Sequence, residues 1–337
     1  MTSTLASRRS TLVGAAAVLC TALVVAMPWL VSEGNMRLMI EIFAVFAFAQ
    51  GWNFLAGYVG IMSFGQQLFI GLGAYSLFLA SNWSGVNPFV LLPLAFVFSA
   101  AFAAAVSPFI FRLRDAYLAI SIWVIAEIVR LFISQRDALG SVSGLPLIAT
   151  REMERSLVAT ATFYYAGALA LIAVFGLYYL SVSRLGLALA AVRDNEGTAG
   201  AIGINVWWTR FFGFVLGSGF TGLAGAVYYM SVFHVEPGGA FDPNWMVVML
   251  FIVIIGGVGT IEGPIIGTAI YFLFRAWFAG TGNLYLMLLG AAAVVVMLIS
   301  PSGIWGIVKA KLGIDLLGAR RASGLEQSSR TTRQNAS

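Results

Sequence analysis

Glu127 and Arg130 stand three residues apart in the apolar stretch from Tyr117 to Ser134. On a helix that spacing puts both side chains on one face, and Trp123 and Ser134, four residues before and after the pair, continue it. Their chemistry is that of charge in hydrocarbon: an ion pair, or a carboxylate that takes up a proton or a cationic group. Each charge alone costs about 2.5–3.5 kcal/mol at the centre of a bilayer. Pairing, with each other or with another helix, is therefore the first reading, and a substrate or gating role the second. Glu41 and Arg275 are lone charges of the same kind near the ends of their apolar runs, where a long side chain reaches the interface. A denser polar group comprises Asn53, Ser63, Gln66 and Gln67. Amides and hydroxyls in hydrocarbon need partners, so this stretch faces either neighbouring helices or a water-lined pathway.

Other chemistries lack their residues. His234 is the only histidine, near Glu236 and Asp242, and one histidine without cysteine support makes a poor metal site. No motif ties a hydroxyl nucleophile to it, which disfavours an enzyme. The single cysteine, Cys20, excludes a disulfide framework within the chain. A phosphate loop requires Gly-Lys followed by Ser or Thr, yet Lys309 precedes Ala310 and Lys311 precedes Leu312. The chain binds no cofactor of its own on this reading, and any ATP is hydrolysed elsewhere. Glu262, in a glycine-rich turn, is expected to be an exposed carboxylate.

The elements that must position these residues follow from composition. Of 337 residues, 60% are hydrophobic and 10% charged, against about 45–50% and about 25% in soluble domains. Long continuous apolar runs exclude a β-barrel, whose strands alternate, and predict an all-α, polytopic transmembrane helical bundle of about ten spans. These fall roughly at 11–31, 36–54, 60–80, 88–111, 117–135, 161–182, 209–231, 244–261, 264–280 and 284–300. The net charge of +5 reflects orientation and not nucleic-acid binding, because the basic residues sit between hydrophobic segments. With both termini inside, thirteen basic residues lie in inner segments and four in outer ones, as the positive-inside rule requires. The expected organisation is a cytoplasmic N-terminus (1–10), a membrane domain (11–311) and a disordered cytoplasmic tail (312–337).

Two further features bear on transport. Glycines, 37 in all, cluster in both halves. Gly60 and Gly65 puncture the third run, and Gly256, Gly257 and Gly263, with Pro264, the eighth and ninth. Interrupted helices in corresponding halves point to a transporter's inner site, while close helix packing is the plainer explanation. The largest inner loop, 183–208, carries Leu185, Leu189 and Val192 at helical spacing. It then carries Arg193-Asp194-Asn195-Glu196, with N-cap residues and a first-turn acid for a second short helix. That helix runs through Ala199 and Ala201 and stops at Gly203. It suits a groove on a soluble partner or the bilayer surface.

Four segments in order resemble the LivM-type permease subunits of branched-chain amino-acid ABC importers. They are Gly51-Trp-Asn53-Phe-Leu-Ala-Gly57-Tyr-Val-Gly60-Ile-Met-Ser63-Phe-Gly65-Gln66, Tyr117-Leu-Ala-Ile-Ser121 with Glu127-Ile-Val-Arg130, Arg193-Asp-Asn-Glu196 with Ala201-Ile-Gly203-Ile-Asn205, and Gly256-Gly257-Val-Gly-Thr-Ile-Glu262-Gly263-Pro264. The resemblance covers roughly residues 36–310. It implies a bacterial inner-membrane permease that lines a translocation pathway and pairs with a LivH-type permease, two cytoplasmic ATPase subunits and an external solute-binding protein. Glu196 to Gly203 match the family's coupling loop, although Gly197-Thr198-Ala199-Gly200 stands where the family carries an alanine-rich stretch. The rival reading is an ion-coupled secondary transporter using Glu127 or Glu41.

Overall fold

The computed structural model describes residues 14–15, 17–29, 32–150, 153–278, 284–300 and 302–312. The expected N-terminal segment, residues 313–337 of the tail, Arg151 and Glu152 lie outside the described residues.

Backbone amides in hydrocarbon have no water to bond, so continuous apolar sequence satisfies them within helices. The helices are α1 (Ala17–Trp29), α2 (Glu33–Phe54), α3 (Gln67–Ser84), α4 (Pro88–Ile110), α5 (Asp115–Ser134), α6 (Arg155–Leu171) and α7 (Leu177–Val182). After these come α8 (Arg184–Asp194), α9 (Glu196–Ala201), α10 (Val206–Val232), α11 (Pro237–Ala240), α12 (Asn244–Gly256), α13 (Gly263–Phe278), α14 (Leu284–Ile299) and α15 (Gly303–Leu312). Single π-helical turns extend α2 over Leu55–Val59 and join α6 to α7 over Ile172–Gly176. Among the described residues, seven helices are long and apolar enough to cross a membrane. The protein is therefore an all-α, polytopic membrane protein. Of the three other apolar runs, two form the shorter helices α1 and α13, and the remaining one forms α3, which has 18 residues but carries Gln67, Ser76, Ser81, Asn82 and Ser84 and is less apolar than the seven. In the third run, the segment 60–66 leaves the helix, so that α3 begins only at Gln67.

Helix α10 forms the centre, packed against α2, α3, α4 and α6. Phe48, Phe69, Phe78 and Phe214 fill the space between these helices and are fully buried. The outer faces of α4, α5 and α14 instead present Phe109, Ile128, Phe132, Leu298 and Ile299, an apolar surface of the kind a bilayer covers. At 27 residues, α10 spans about 40 Å, enough to separate two ends of the molecule. At its first end lie α8 and α9. At its last end a two-residue antiparallel pair, β1 (Leu145–Pro146) with β2 (His234–Val235), ties together the loops after α5 and α10.

Candidate coupling and translocation site

The two glycine-rich interruptions meet. Asn53, in the last turn of α2 and fully buried, donates Nδ2 to the Thr260 carbonyl at 2.7 Å and accepts from the Gly259 amide through Oδ1 at 2.8 Å. Gln50, one turn earlier, donates to the Ile261 carbonyl at 3.3 Å. The non-helical backbone of 257–262 thus finds its partners in side chains of α2, as buried backbone must. Contact this close requires glycine: a Cβ on Gly57 would lie 2.5 Å from the Gly259 backbone. Glu262 is buried at 7% exposure. This corrects its assignment as an exposed carboxylate: the second interruption folds beneath α2, and Glu262 sits at the start of α13, where the helix dipole favours an anion.

The first interruption is held from both sides. Its chain leaves the π turn at Gly60, whose φ of +79° suits glycine, and Trp52 donates its indole N–H to the Ser63 carbonyl at 2.8 Å. Gln66 donates to Thr221 Oγ1 of α10 at 3.0 Å. Gly65 lies against the α5 backbone at Ile122. The Gln67 amide is fully buried with no hydrogen-bond partner among the described residues. Gly256 and Gly263 face each other across the second interruption, and Gly257 takes φ +130°.

At the same end, α8 and α9 are defined by their caps. Ser183 accepts from the Gly186 amide and Asn195 from Thr198. Ala199 is buried, Ala201 is exposed, and Gly203 reverses the chain at φ +87°. Arg193 points inward: its Nη1 donates to the Gly57 carbonyl, while Nε and Nη2 bond Asp194 at 3.1 and 2.7 Å. Glu196 pairs with Arg210 of α10 at 2.6 Å. A cleft of about 810 Å³ lies between these helices, the 60–64 segment and the start of α5, and three arginines, Arg114, Arg193 and Arg210, line it.

Glu127 and Arg130 stand apart from this junction. They bond each other on α5 through Arg130 Nε to Glu127 Oε2 at 2.9 Å and through Nη2 to Oε1. Glu41 and Arg275, expected as separate snorkelling charges, pair with each other across α2 and α13 at 2.5 Å. Both carboxylates raised as proton sites thus have an arginine partner. The Glu41–Arg275 pair, with His234, Glu236 and Asp242, lines a second cleft, of about 560 Å³, at the far end of α10. Among the described residues no group of His, Cys, Asp and Glu is placed to hold a metal ion. Sequence reasoning missed Gln50 and Arg210. Gln50 lies one helical turn before Asn53 and Arg210 seven residues after Gly203, and only the tertiary contacts show their roles.

The LivM permease of Salmonella typhimurium, named as part of a high-affinity branched-chain amino acid transport system, is 25% identical over 314 residues. That alignment covers 86% of this chain and 74% of the relative. The Escherichia coli LivM permease is 24% identical over 316 residues, with the same coverage. A probable LivH permease of Methanocaldococcus jannaschii is 26% identical over 279 residues, covering 75% of this chain and 85% of its own length. No solved structure matches. The pattern of the family described as branched-chain amino acid transport system / permease component matches residues 34–299, so the chain belongs to that family and is a transport component, not an enzyme.

Proposed function

We propose that the chain is one of two permease subunits of an ABC importer, carrying branched-chain amino acids or similar small polar or amphipathic solutes. A LivH-type permease pairs with it, two cytoplasmic ATPase subunits drive it, and an external solute-binding protein delivers the solute. ATP is bound and hydrolysed by the partners. In this reading α1, α3 and α13 complete ten spans, the interrupted segments 60–66 and 257–262 are breaks at membrane depth, and both termini lie with α8 and α9 in the cytoplasm. Asn53, Ser63, Gln66 and Gln67 belong to the pathway or its walls.

The observation that carries the proposal is the short, capped helix α9, fixed to α10 by Glu196 and Arg210 at the end of the molecule where the arginines gather. An external motor moves a membrane domain only through a rigid element, and α9 is such an element. Ala199→Pro removes a bond within that helix and clashes with its preceding turn, while Gly203→Glu forces a side chain onto positive φ. Purified with its sister permease, each variant is expected to keep that partner and lose ATPase subunits during column chromatography. Solute-stimulated ATP hydrolysis falls with them. Normal retention and stimulation in both variants would refute docking at α9.

A further inference from the structure

Arg193 connects the proposed docking helix to the helix breaks by a direct bond. Its guanidinium reaches the carbonyl of Gly57 inside the π turn of α2. A π turn leaves backbone carbonyls out of the ordinary helical ladder, and here a side chain from another element takes one of them. The stem of Arg193 packs on the residue where the chain leaves that turn: a Cβ on Gly60 would lie 2.9 Å from Arg193 Cγ. The same guanidinium lies beside the second break, 3.8 Å from where a Cβ of Gly259 would stand. Gly57 and Gly259 are themselves in backbone contact, and Asn53 bonds across them. One side chain of α8 therefore touches the point at which both interrupted segments meet. Behind it Asp194 fixes the guanidinium, and Asn195 caps α9 immediately afterwards.

We infer that Arg193 is a positioning residue of the transport cycle, the pin through which a displacement of α8 and α9 reaches the junction of the two breaks at Gly57 and Gly259. The inference rests on the proposal that α9 is the docking element. Mechanically it requires that α8 and α9 and the segment 60–66 move as one body. Without the pin, motion of α9 is absorbed in the cleft between them, which is open enough at about 810 Å³ to allow it.

Two readouts test this in the complete assembly with its ATPases. In the first, Cys20 is replaced and spin labels are placed at Met62, exposed in the first interruption, and Thr198, exposed on α9. Trapping the ATP-bound state is expected to leave the distance between the labels unchanged with Arg193 present and to shift or broaden it in Arg193→Ala. A shift with Arg193 present, or no difference between the two proteins, overturns the pin. In the second, solute carried per ATP hydrolysed is expected to fall about tenfold in Arg193→Ala, within the usual range of coupling between sites. The ATPases still co-elute, and Arg193→Lys, which keeps one donor for the Gly57 carbonyl, recovers part of the loss. Parallel loss of ATPase retention and transport at a constant ratio would make Arg193 an ordinary structural anchor. Failure of α9 as the dock shows separately, as normal ATPase retention in Ala199→Pro.

Discussion

Gly73→Val is expected to abolish the folded protein, leaving aggregate where the parent elutes as a single species in detergent. Gly73 sits where α3 crosses α10, and a Cβ there would overlap the Gly222 carbonyl and its backbone neighbours. Overpacking against side chains costs about 1–3 kcal/mol because they move aside. Backbone does not, so α3 and α10 must separate along their length. Three residues beyond Gly222, Gly225 abuts the backbone of Ile70, three residues before Gly73, so the whole crossing depends on this approach. Gly290→Ala is the control: a Cβ there meets nothing within 4 Å, and alanine favours a helix by about 1 kcal/mol. Its melting temperature should hold or rise. A folded Gly73→Val protein with an unchanged melting temperature would mean that α3 and α10 do not cross in this way.

Asn53→Leu is the second large effect. It removes the partners of the Thr260 carbonyl and the Gly259 amide together, and each buried group left unsatisfied costs about 1–3 kcal/mol. The melting temperature in detergent should fall further than for Gln50→Leu. Gln50 forms two bonds of 3.3 Å, to the Ile261 carbonyl and from the Asn53 amide. Transport should be lost in Asn53→Leu even at temperatures where the protein stays folded, since the two breaks no longer share a register. Equal effects of the two substitutions would remove Asn53 as the tie between them.

Local features explain what the sequence disclosed. The apolar runs set the helices, and Asn195, among the polar residues ahead of a short helical stretch, marked the start of α9, where it accepts a backbone amide. The cap of α10 at Asn205 lies ahead of the apolar run read from 209 and shows only in the structure. The three-residue spacing of Glu127 and Arg130 suggested a bond that forms within one helix. What stayed hidden depends on contacts between distant segments. Glu41 and Arg275 are 234 residues apart, and nothing in either run names the other. Gly57 and Gly259 carried the signal of a glycine-rich break, but not that the two breaks touch. Glu262 looked like a turn carboxylate because turn residues are usually exposed. Its burial follows only from the fold of 257–262 under α2.

In the proposed function this chain moves solute with energy supplied by other subunits. The direct measurement is uptake into proteoliposomes that hold the chain, its sister permease and the ATPases, with the solute-binding protein outside and ATP enclosed. Uptake of a labelled branched-chain amino acid is predicted to require ATP, the ATPases and the binding protein, and to continue when a protonophore collapses the proton gradient. Uptake by this chain alone, abolished by the protonophore and by Glu127→Gln or Glu41→Gln, would contradict the account.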